Sequence, residues 1–135
     1  MKELNIEARI ENLDEVLAFV DEQLDLYNCP IKQKMHLDIA VEELYVNIAQ
    51  YAYDPEIGWV KLGIEVSDDP LAVTITFIDN GKPYDPLAKR DPDITLGSDE
   101  RQIGGLGIYL VKQNMEDVHY EYKNGKNILT IRKTI

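Results

Sequence analysis

The chain has 135 residues, of which 44% are hydrophobic and 29% charged, so it is long enough for one domain with a sizeable core. Its 14 basic and 25 acidic residues give a net charge of −11, which disfavours direct binding to nucleic acid or to anionic membranes. A lone cysteine, Cys29, excludes an internal disulfide and a multi-thiolate metal site.

The N-terminal residues and the hydropathy of the chain lead to an expected cellular compartment. The N-terminal residues lack the apolar region of a secretory signal, and no uncharged stretch is long enough to cross a bilayer. We therefore expect a cytoplasmic protein whose residues 1–135 form a single domain.

The first predicted elements are a strand and a helix. Residues 3–10 alternate apolar and polar side chains, which predicts a half-buried strand. Asn12 is a candidate N-cap, with Glu15 as its capping-box partner. Apolar residues at helical spacing follow, and they predict a first helix that ends near Tyr27.

A second, longer helix is predicted between Pro30, which is suited to open it, and Pro55, before which it must end. Its apolar stripe consists of Leu37, Ala40, Val41, Leu44, Ile48 and Ala52. A polar row runs along one edge of that stripe and consists of His36, Glu43, Asn47, Gln50 and Asp54.

Glu43 and Asn47 are the two members of this row that point to chemistry. They lie four residues apart and thus about 40° apart around the helix axis, so a carboxylate and an amide face the same small volume. That volume can hold a ligand, and a hydrogen-bonded pair at the border of the core is the alternative on this segment alone. Tyr51, one turn beyond Asn47, is expected to pack close to the core stripe.

Two strands follow the long helix. Residues 59–66 and 71–78 alternate on either side of a turn at residues 67–70, which predicts a hairpin. The second strand ends at Asp79, followed by Asn80 and Gly81. Asp79 can accept a hydrogen bond and Gly81 allows a positive φ, although a plain turn explains both residues equally well.

A long loop and a glycine-rich helix start come next. Residues 82–103 lack periodicity and contain three prolines, which predicts a functional or mobile loop, or alternatively a disordered excursion. Gly104, Gly105 and Gly107 then open a short amphipathic helix, where free backbone amides can approach a phosphate. No Gly-Lys-Ser/Thr follows, so the segment is not a P-loop.

The chain ends in a hairpin, predicted from alternating residues 118–123 and 126–132 around Asn124-Gly125. The complete order is strand, helix, helix, strand, strand, long loop, helix, strand, strand. This order predicts an α+β two-layer sandwich, with three helices on one face of a mostly antiparallel mixed sheet.

The ordered set of Glu-x-x-x-Asn on a helix, Asp-x-Gly after a hairpin, a long loop and Gly-x-Gly before a helix carries a family resemblance. It resembles the three motifs of the GHKL, or Bergerat-fold, ATPases. Within that superfamily the chain is similar, over nearly its whole length, to the anti-sigma-factor serine/threonine kinases of bacterial partner-switching systems.

The resemblance implies a role for each motif residue. Asn47 would give its amide oxygen to Mg²⁺, Glu43 would act as the base, and Asp79 would accept the adenine amino group of ATP. Gly81 would allow close approach to the base. Residues 82–103 would form a lid, with the phosphates held by Gly104, Gly105 and Gly107. Arg101 is the candidate lid cation, and a solvated loop arginine is its alternative. Pro83 departs from the family pattern, which often has a second glycine there.

The implied function is an ATP- and Mg²⁺-dependent serine/threonine kinase. Its partners would be a sigma factor or a small anti-sigma-factor antagonist, without direct nucleic acid or membrane contact. The sequence leaves a monomer and a homodimer open. The alternative function is a nucleotide-gated protein-binding module without productive phosphoryl transfer, although retention of Glu43 favours the enzyme.

Overall fold

The computed structural model describes residues 1–88 and 106–135, and for Leu106 it describes the backbone alone. Within these residues three α-helices pack against a five-stranded antiparallel sheet, which confirms the predicted α+β sandwich. The strands are β1 Lys2–Glu7, β2 Trp59–Ser67, β3 Ala72–Asp79, β4 Asp117–Lys123 and β5 Lys126–Thr134. The helices are α1 Leu13–Leu26, α2 Ile31–Asn47 and α3 Leu106–Asn114. None of the helices in this described part combines the length and the apolarity needed to cross a membrane.

The sheet has the strand order β1-β2-β3-β5-β4, and each pair of described neighbours is antiparallel. Asn124 and Gly125 join β4 to β5 with φ values of 56° and 76°, the left-handed conformations that a two-residue hairpin turn requires. In the register between β3 and β5, Asp79 lies opposite Asn127. The sheet therefore brings two polar residues, 48 positions apart, side by side.

The core lies between the helices and one face of the sheet. Side chains alternate along a strand, so every second residue of β3 and β5 is buried under the helices. On this face β3 carries Val73, Ile75, Phe77 and finally Asp79, and β5 carries Asn127, Leu129, Ile131 and finally Lys133. The apolar face of the sheet thus ends in the buried pair Asp79 and Asn127.

The connection from β1 to α1 differs from its prediction. β1 ends at Glu7 instead of residue 10, and a short 3₁₀ turn, Ile10–Asn12, precedes α1. The Asn12 side chain makes no capping bond, because its amide Nδ2 donates to the Glu7 carbonyl at 3.0 Å. The predicted side-chain capping bond of Asn12 is therefore absent, so the capping-box prediction was wrong, although α1 does begin immediately after Asn12.

The second helix changes type before it ends. α2 is α-helical to Asn47 and continues as a π-helical turn, Ile48–Ala52. Wider winding shifts the residues beyond Asn47 around the axis relative to an α-helix. Tyr51 is therefore 44% exposed and lies against the Tyr84 ring, with centroids 5.8 Å apart, so its predicted packing near the core was wrong. Gln50 is exposed as well, and the buried-edge polar row ends at Asn47.

Two carboxylates face each other where α1 packs on α2. Asp21 Oδ1 and Asp38 Oδ1 are buried, and neither has a hydrogen-bond partner in the described part of the chain. Burial, followed by interaction with Asp21, raises the pKa of Asp38 to about 7. The nearby Lys34 ammonium is already bound to Asp25 at 3.0 Å. A proton shared between Asp21 and Asp38 satisfies both groups.

This pair predicts a pH dependence of stability. Asp38 has a pKa of about 7 in the folded protein and an ordinary value of 3.8. Because the folded state binds the proton more tightly, protonation of Asp38 adds to the free energy of unfolding at low pH. This contribution is lost as the pH rises from about 4 through 7. Asp38→Asn keeps a donor for Asp21 at every pH, so the stabilisation of this variant over wild type should grow by about 1 kcal/mol between pH 5 and pH 8, after allowance for solvent screening.

Urea unfolding of wild type and Asp38→Asn at both pH values measures this difference. Glu22→Gln, an exposed change on α1, is the matched control and should show no such growth. A constant difference between wild type and Asp38→Asn would contradict the shared proton.

Candidate functional site

A cavity opens between the end of the second helix and the buried polar end of the sheet. The empty space between its walls, together with open solvent at its mouth, amounts to about 350 Å³. Its walls are mostly apolar and aromatic, with three polar side chains among them. The lining residues are Leu44, Asn47, Ile48, Ala52, Phe77, Asp79, Tyr84, Pro86, Tyr120, Asn127 and Leu129. Mostly apolar walls with a few fixed polar groups are typical of a site for a small molecule.

Asp79 is the charged group of this cavity and is only 5% exposed. Its Oδ1 accepts two hydrogen bonds, from the Gly81 N–H at 2.8 Å and from Asn127 Nδ2 at 2.9 Å. Burial raises the pKa of the Asp79 carboxyl, and these two donors oppose that rise. No described residue donates to Oδ2, so this oxygen is available to a ligand that carries an N–H group.

Gly81 is required for a different reason from the predicted one. Its φ is not positive, since Gly125 is the glycine with a positive φ among the described residues. A Cβ built on Gly81 would instead overlap the carbonyl of Ala52 at the end of the π-helical turn. The Lys82 N–H donates to the same carbonyl at 2.9 Å. Gly81 thus lets the loop after β3 bind directly to the helix end beside Asp79.

Asn47 and Glu43 lie together on α2, as their spacing predicted. Asn47 Nδ2 lies 3.5 Å from Glu43 Oε1. Because an ionised carboxylate only accepts hydrogen bonds, the amide nitrogen must face Glu43 and the amide oxygen must point the other way. Asn47 lines the cavity, whereas Glu43 lies one turn earlier and outside its lining. The pair therefore extends the site from the cavity toward α3.

Gly107 brings α3 against this pair. A Cβ at Gly107 would overlap the carboxylate of Glu43, so any larger residue here would displace the end of the Glu43 side chain. Gly107 lies in the first turn of α3, where backbone N–H groups have no partner within the helix. The Glu43 carboxylate thus lies beside the positive end of α3, where an anionic ligand would also be favoured.

Asn127 and Tyr120 are cavity residues that the sequence analysis missed. Asn127 is 5% exposed and occupies a core-facing position of β5, between the hairpin turn and Leu129. The signal was a polar residue in phase with the apolar residues of a strand. Tyr120, on β4, donates its hydroxyl to Asn127 Oδ1.

Three predicted site residues, Arg101, Gly104 and Gly105, lie outside the described residues, as does most of the predicted lid at residues 82–103. The described start of that segment includes a 3₁₀ turn at Pro86–Ala88. In the described ranges, no group of three or more His, Cys, Asp or Glu side chains is arranged to hold a metal ion. Of the predicted residues, the structure brings together Glu43, Asn47 and Gly107 at one end of the site.

Comparison with known proteins gives a family match over most of the chain. Residues 6–133 match the family described as histidine kinase-like ATPase domain. In fold, the chain resembles the crystal structure of the RsbU and RsbW domains of a Mycobacterium tuberculosis protein, with a TM-score of 0.67 and 17% sequence identity. That similarity covers 99% of this chain and 32% of the other.

Several curated proteins are similar in sequence. The chain is 27% identical over 95 residues to the serine/threonine-protein kinase BtrW of Bordetella bronchiseptica, covering 70% of this chain and 66% of that protein. It is 32% identical over 100 residues to the serine-protein kinase RsbW of Bacillus licheniformis, covering 68% and 60%. The RsbW of Listeria innocua is also 32% identical, over 99 residues. The chain thus spans about two thirds or less of the length of these relatives.

Proposed function

Because this chain belongs to the histidine kinase-like ATPase domain family, we propose that it is an ATP-dependent serine/threonine protein kinase and anti-sigma regulatory factor. Its partners in a partner-switching pathway are a sigma factor, which it binds, or a small anti-sigma-factor antagonist, which it phosphorylates. The observation that carries the proposal is one continuous site, in which Asp79 and Asn47 line the same cavity and Glu43 adjoins it.

The apolar cavity takes the adenine base. Asp79 Oδ2 accepts a hydrogen bond from the exocyclic amino group, while Leu44 and Phe77 pack against the ring. Two supports for this role are the buried position of Asp79 and the donors that already occupy its Oδ1. Gly81 contributes by keeping the loop beside the base close to the helix.

The phosphates and Mg²⁺ belong at the other end, between Asn47 and α3. The donor chemistry fits Mg²⁺, because the Asn47 amide oxygen faces away from Glu43 and Mg²⁺ prefers oxygen ligands while keeping several waters. The charge neutralisation that Mg²⁺ would supply there would act on the phosphates. The backbone at Gly107 supplies amides for the phosphates, and we assign the same role to Gly104 and Gly105 and a lid cation role to Arg101.

Glu43 is the proposed general base toward the serine hydroxyl of the partner. Phosphoryl transfer depends mainly on positioning and charge neutralisation, so one base with amide donors and a cation suffices. The contact of Glu43 with Asn47 and with Gly107 also gives it a packing role without chemistry. That observation sustains the second candidate, a nucleotide-gated binding module that transfers no phosphate.

A pull-down from native lysate, with and without ATP and Mg²⁺, separates these two functions. The kinase proposal expects the retained partner to carry a new phosphoserine after incubation with ATP and Mg²⁺. Phosphosite mapping of the retained proteins reads this out. A partner that is captured or released with ATP, and yet never gains a phosphate, supports the binding module and contradicts the kinase.

Asn47→Ala should remove the Mg²⁺-dependent part of ATP binding, because the metal loses its proposed direct protein ligand. We expect ATP affinity in Mg²⁺ to fall by about ten- to a hundredfold, with little change in the absence of the metal. Nucleotide titrations in Mg²⁺ and in a chelator measure both values. Gln50→Ala, an exposed change one turn further along, is the control. Equal losses in both conditions would contradict the metal role.

A further inference from the structure

Asn127 is the centre of a hydrogen-bond network that joins four chain segments. Its amide Nδ2 donates to Asp79 Oδ1 and to the Lys82 carbonyl, both at 2.9 Å. Its Oδ1 accepts from the Tyr84 N–H at 3.2 Å and from the hydroxyl of Tyr120. The network thus ties β5 to the end of β3, to the loop after it and to β4.

The orientation of the Asn127 amide is fixed by its partners. One N–H donor and one O–H donor face its oxygen, and a carboxylate and a carbonyl face its nitrogen. The reversed amide would lose three of these four bonds, because only the Tyr120 hydroxyl can also accept. As a result Asp79 always receives a donor on Oδ1. With the Gly81 N–H on the same oxygen, the acceptor capacity toward the cavity is concentrated on Oδ2.

We infer that Asn127 is a positioning residue that makes the cavity selective for a 6-aminopurine over a 6-oxopurine, an inference that rests on the proposed ATP site. Asn127 saturates one oxygen of Asp79 and leaves the other as an acceptor. An exocyclic amino group donates to that acceptor, whereas a 6-oxo group would place one acceptor against another. A site that is built to accept from an N–H group rejects an analogue that lacks it by a large factor.

The hydrogen bond from Asn127 stabilises the ionised form of Asp79. Burial raises the pKa of this carboxyl, and the Asn127 donor is the larger of the two groups that oppose the rise. Among the described residues, the titratable groups around it are the phenols of Tyr53, after the π-helical turn, of Tyr120, on β4, and of Tyr84, which lines the same cavity. Without the Asn127 donor, Asp79 takes up a proton at higher pH and becomes a donor, which a 6-oxo group can accept.

The test compares wild type with Asn127→Leu, a change of similar volume without hydrogen-bonding groups. Calorimetry gives the affinities for ATP and for inosine triphosphate, ITP, at a series of decreasing pH values at which both proteins remain folded. We expect ATP affinity to fall by about ten- to a hundredfold, and to fall further as the pH decreases. ITP affinity should rise as the pH decreases, so the two nucleotides change in opposite directions. A merely structural role would weaken both in parallel.

Tyr120→Phe removes one donor to Asn127 while keeping the ring, and it decides the matter should Asn127→Leu fail to fold. As the pH decreases, Tyr120→Phe should lose ATP affinity and gain ITP affinity, as Asn127→Leu does, but by a smaller factor. Thr130→Val, on the other face of β5, is the control and should retain wild-type selectivity. If wild type selects ATP and the Asn127→Leu or Tyr120→Phe variant keeps the same selectivity and pH profile, this inference is overturned while the ATP site stands. Failure of wild type to bind either nucleotide overturns the ATP site together with it.

Discussion

Glu43→Gln will lower phosphate transfer to the partner serine by roughly 10²–10⁴-fold, while its ATP affinity stays near that of wild type. Glutamine keeps the size of Glu43 and can accept from Asn47 as the carboxylate does, so the packing against Gly107 is preserved. The substitution removes the basicity of the side chain together with its negative charge. The measurement is transfer of labelled phosphate to the partner recovered in the pull-down, beside an ATP titration of the same preparation.

Glu42→Gln is the matched control, because Glu42 is the exposed neighbour on α2 and lines no part of the cavity. It should transfer phosphate at the wild-type rate. Unchanged transfer by Glu43→Gln would remove the proposed base, and a parallel loss of ATP affinity would indicate that the variant had disturbed the Asn47 contact instead of the chemistry.

Asp79→Asn should weaken ATP binding by about a hundredfold or more, since hydrogen bonds to a charged group contribute about 1.5–3 kcal/mol and a clash is added. The donors from Gly81 and Asn127 keep an oxygen at the Oδ1 position. The new amide nitrogen therefore takes the place of Oδ2, where it opposes the adenine amino group with a second donor. Calorimetry with ATP measures the loss.

Two controls accompany this variant. Asn80→Ala changes the exposed next residue and should bind ATP as wild type does. Because an amide donor suits a 6-oxo group, Asp79→Asn should gain ITP affinity, which also demonstrates that its cavity is intact. ATP binding by Asp79→Asn at wild-type strength would show that the base lies elsewhere.

The order and type of the elements were predictable because the buried positions recur with clear periods. The alternation in β2 and β3 and the Asn124-Gly125 turn placed four of the strands to within about two residues of where they lie. Both signals are local, since a strand that buries one face must alternate and a two-residue hairpin turn needs positive φ. The sequence therefore carried most of the architecture.

What could not be predicted depends on contacts between distant segments. The role of Gly81 comes from the Ala52 carbonyl, which lies 29 residues earlier, and no local rule reports that approach. The sequence pattern favoured Asn12 as an N-cap, but its side-chain amide donates to the Glu7 carbonyl instead. Asn127 contacts Asp79 only because the register between β3 and β5 sets the two residues opposite each other. Motif spacing pointed to the charged residues Glu43 and Asp79. The groups that orient Asp79 could be identified only once the pairing of the strands was known.

The π-helical turn at Ile48–Ala52 has a consequence for the evolution of the chain length. A π turn is an α-helix that holds one residue more than its winding needs. Loss of any one residue from this turn would return it to α-helical winding, shift Ala52 and withdraw its carbonyl from Lys82. A relative that is one residue shorter between its motif asparagine and β2 should therefore be aligned with the gap inside this turn. The exposed stretch before Trp59 would be the wrong place for it.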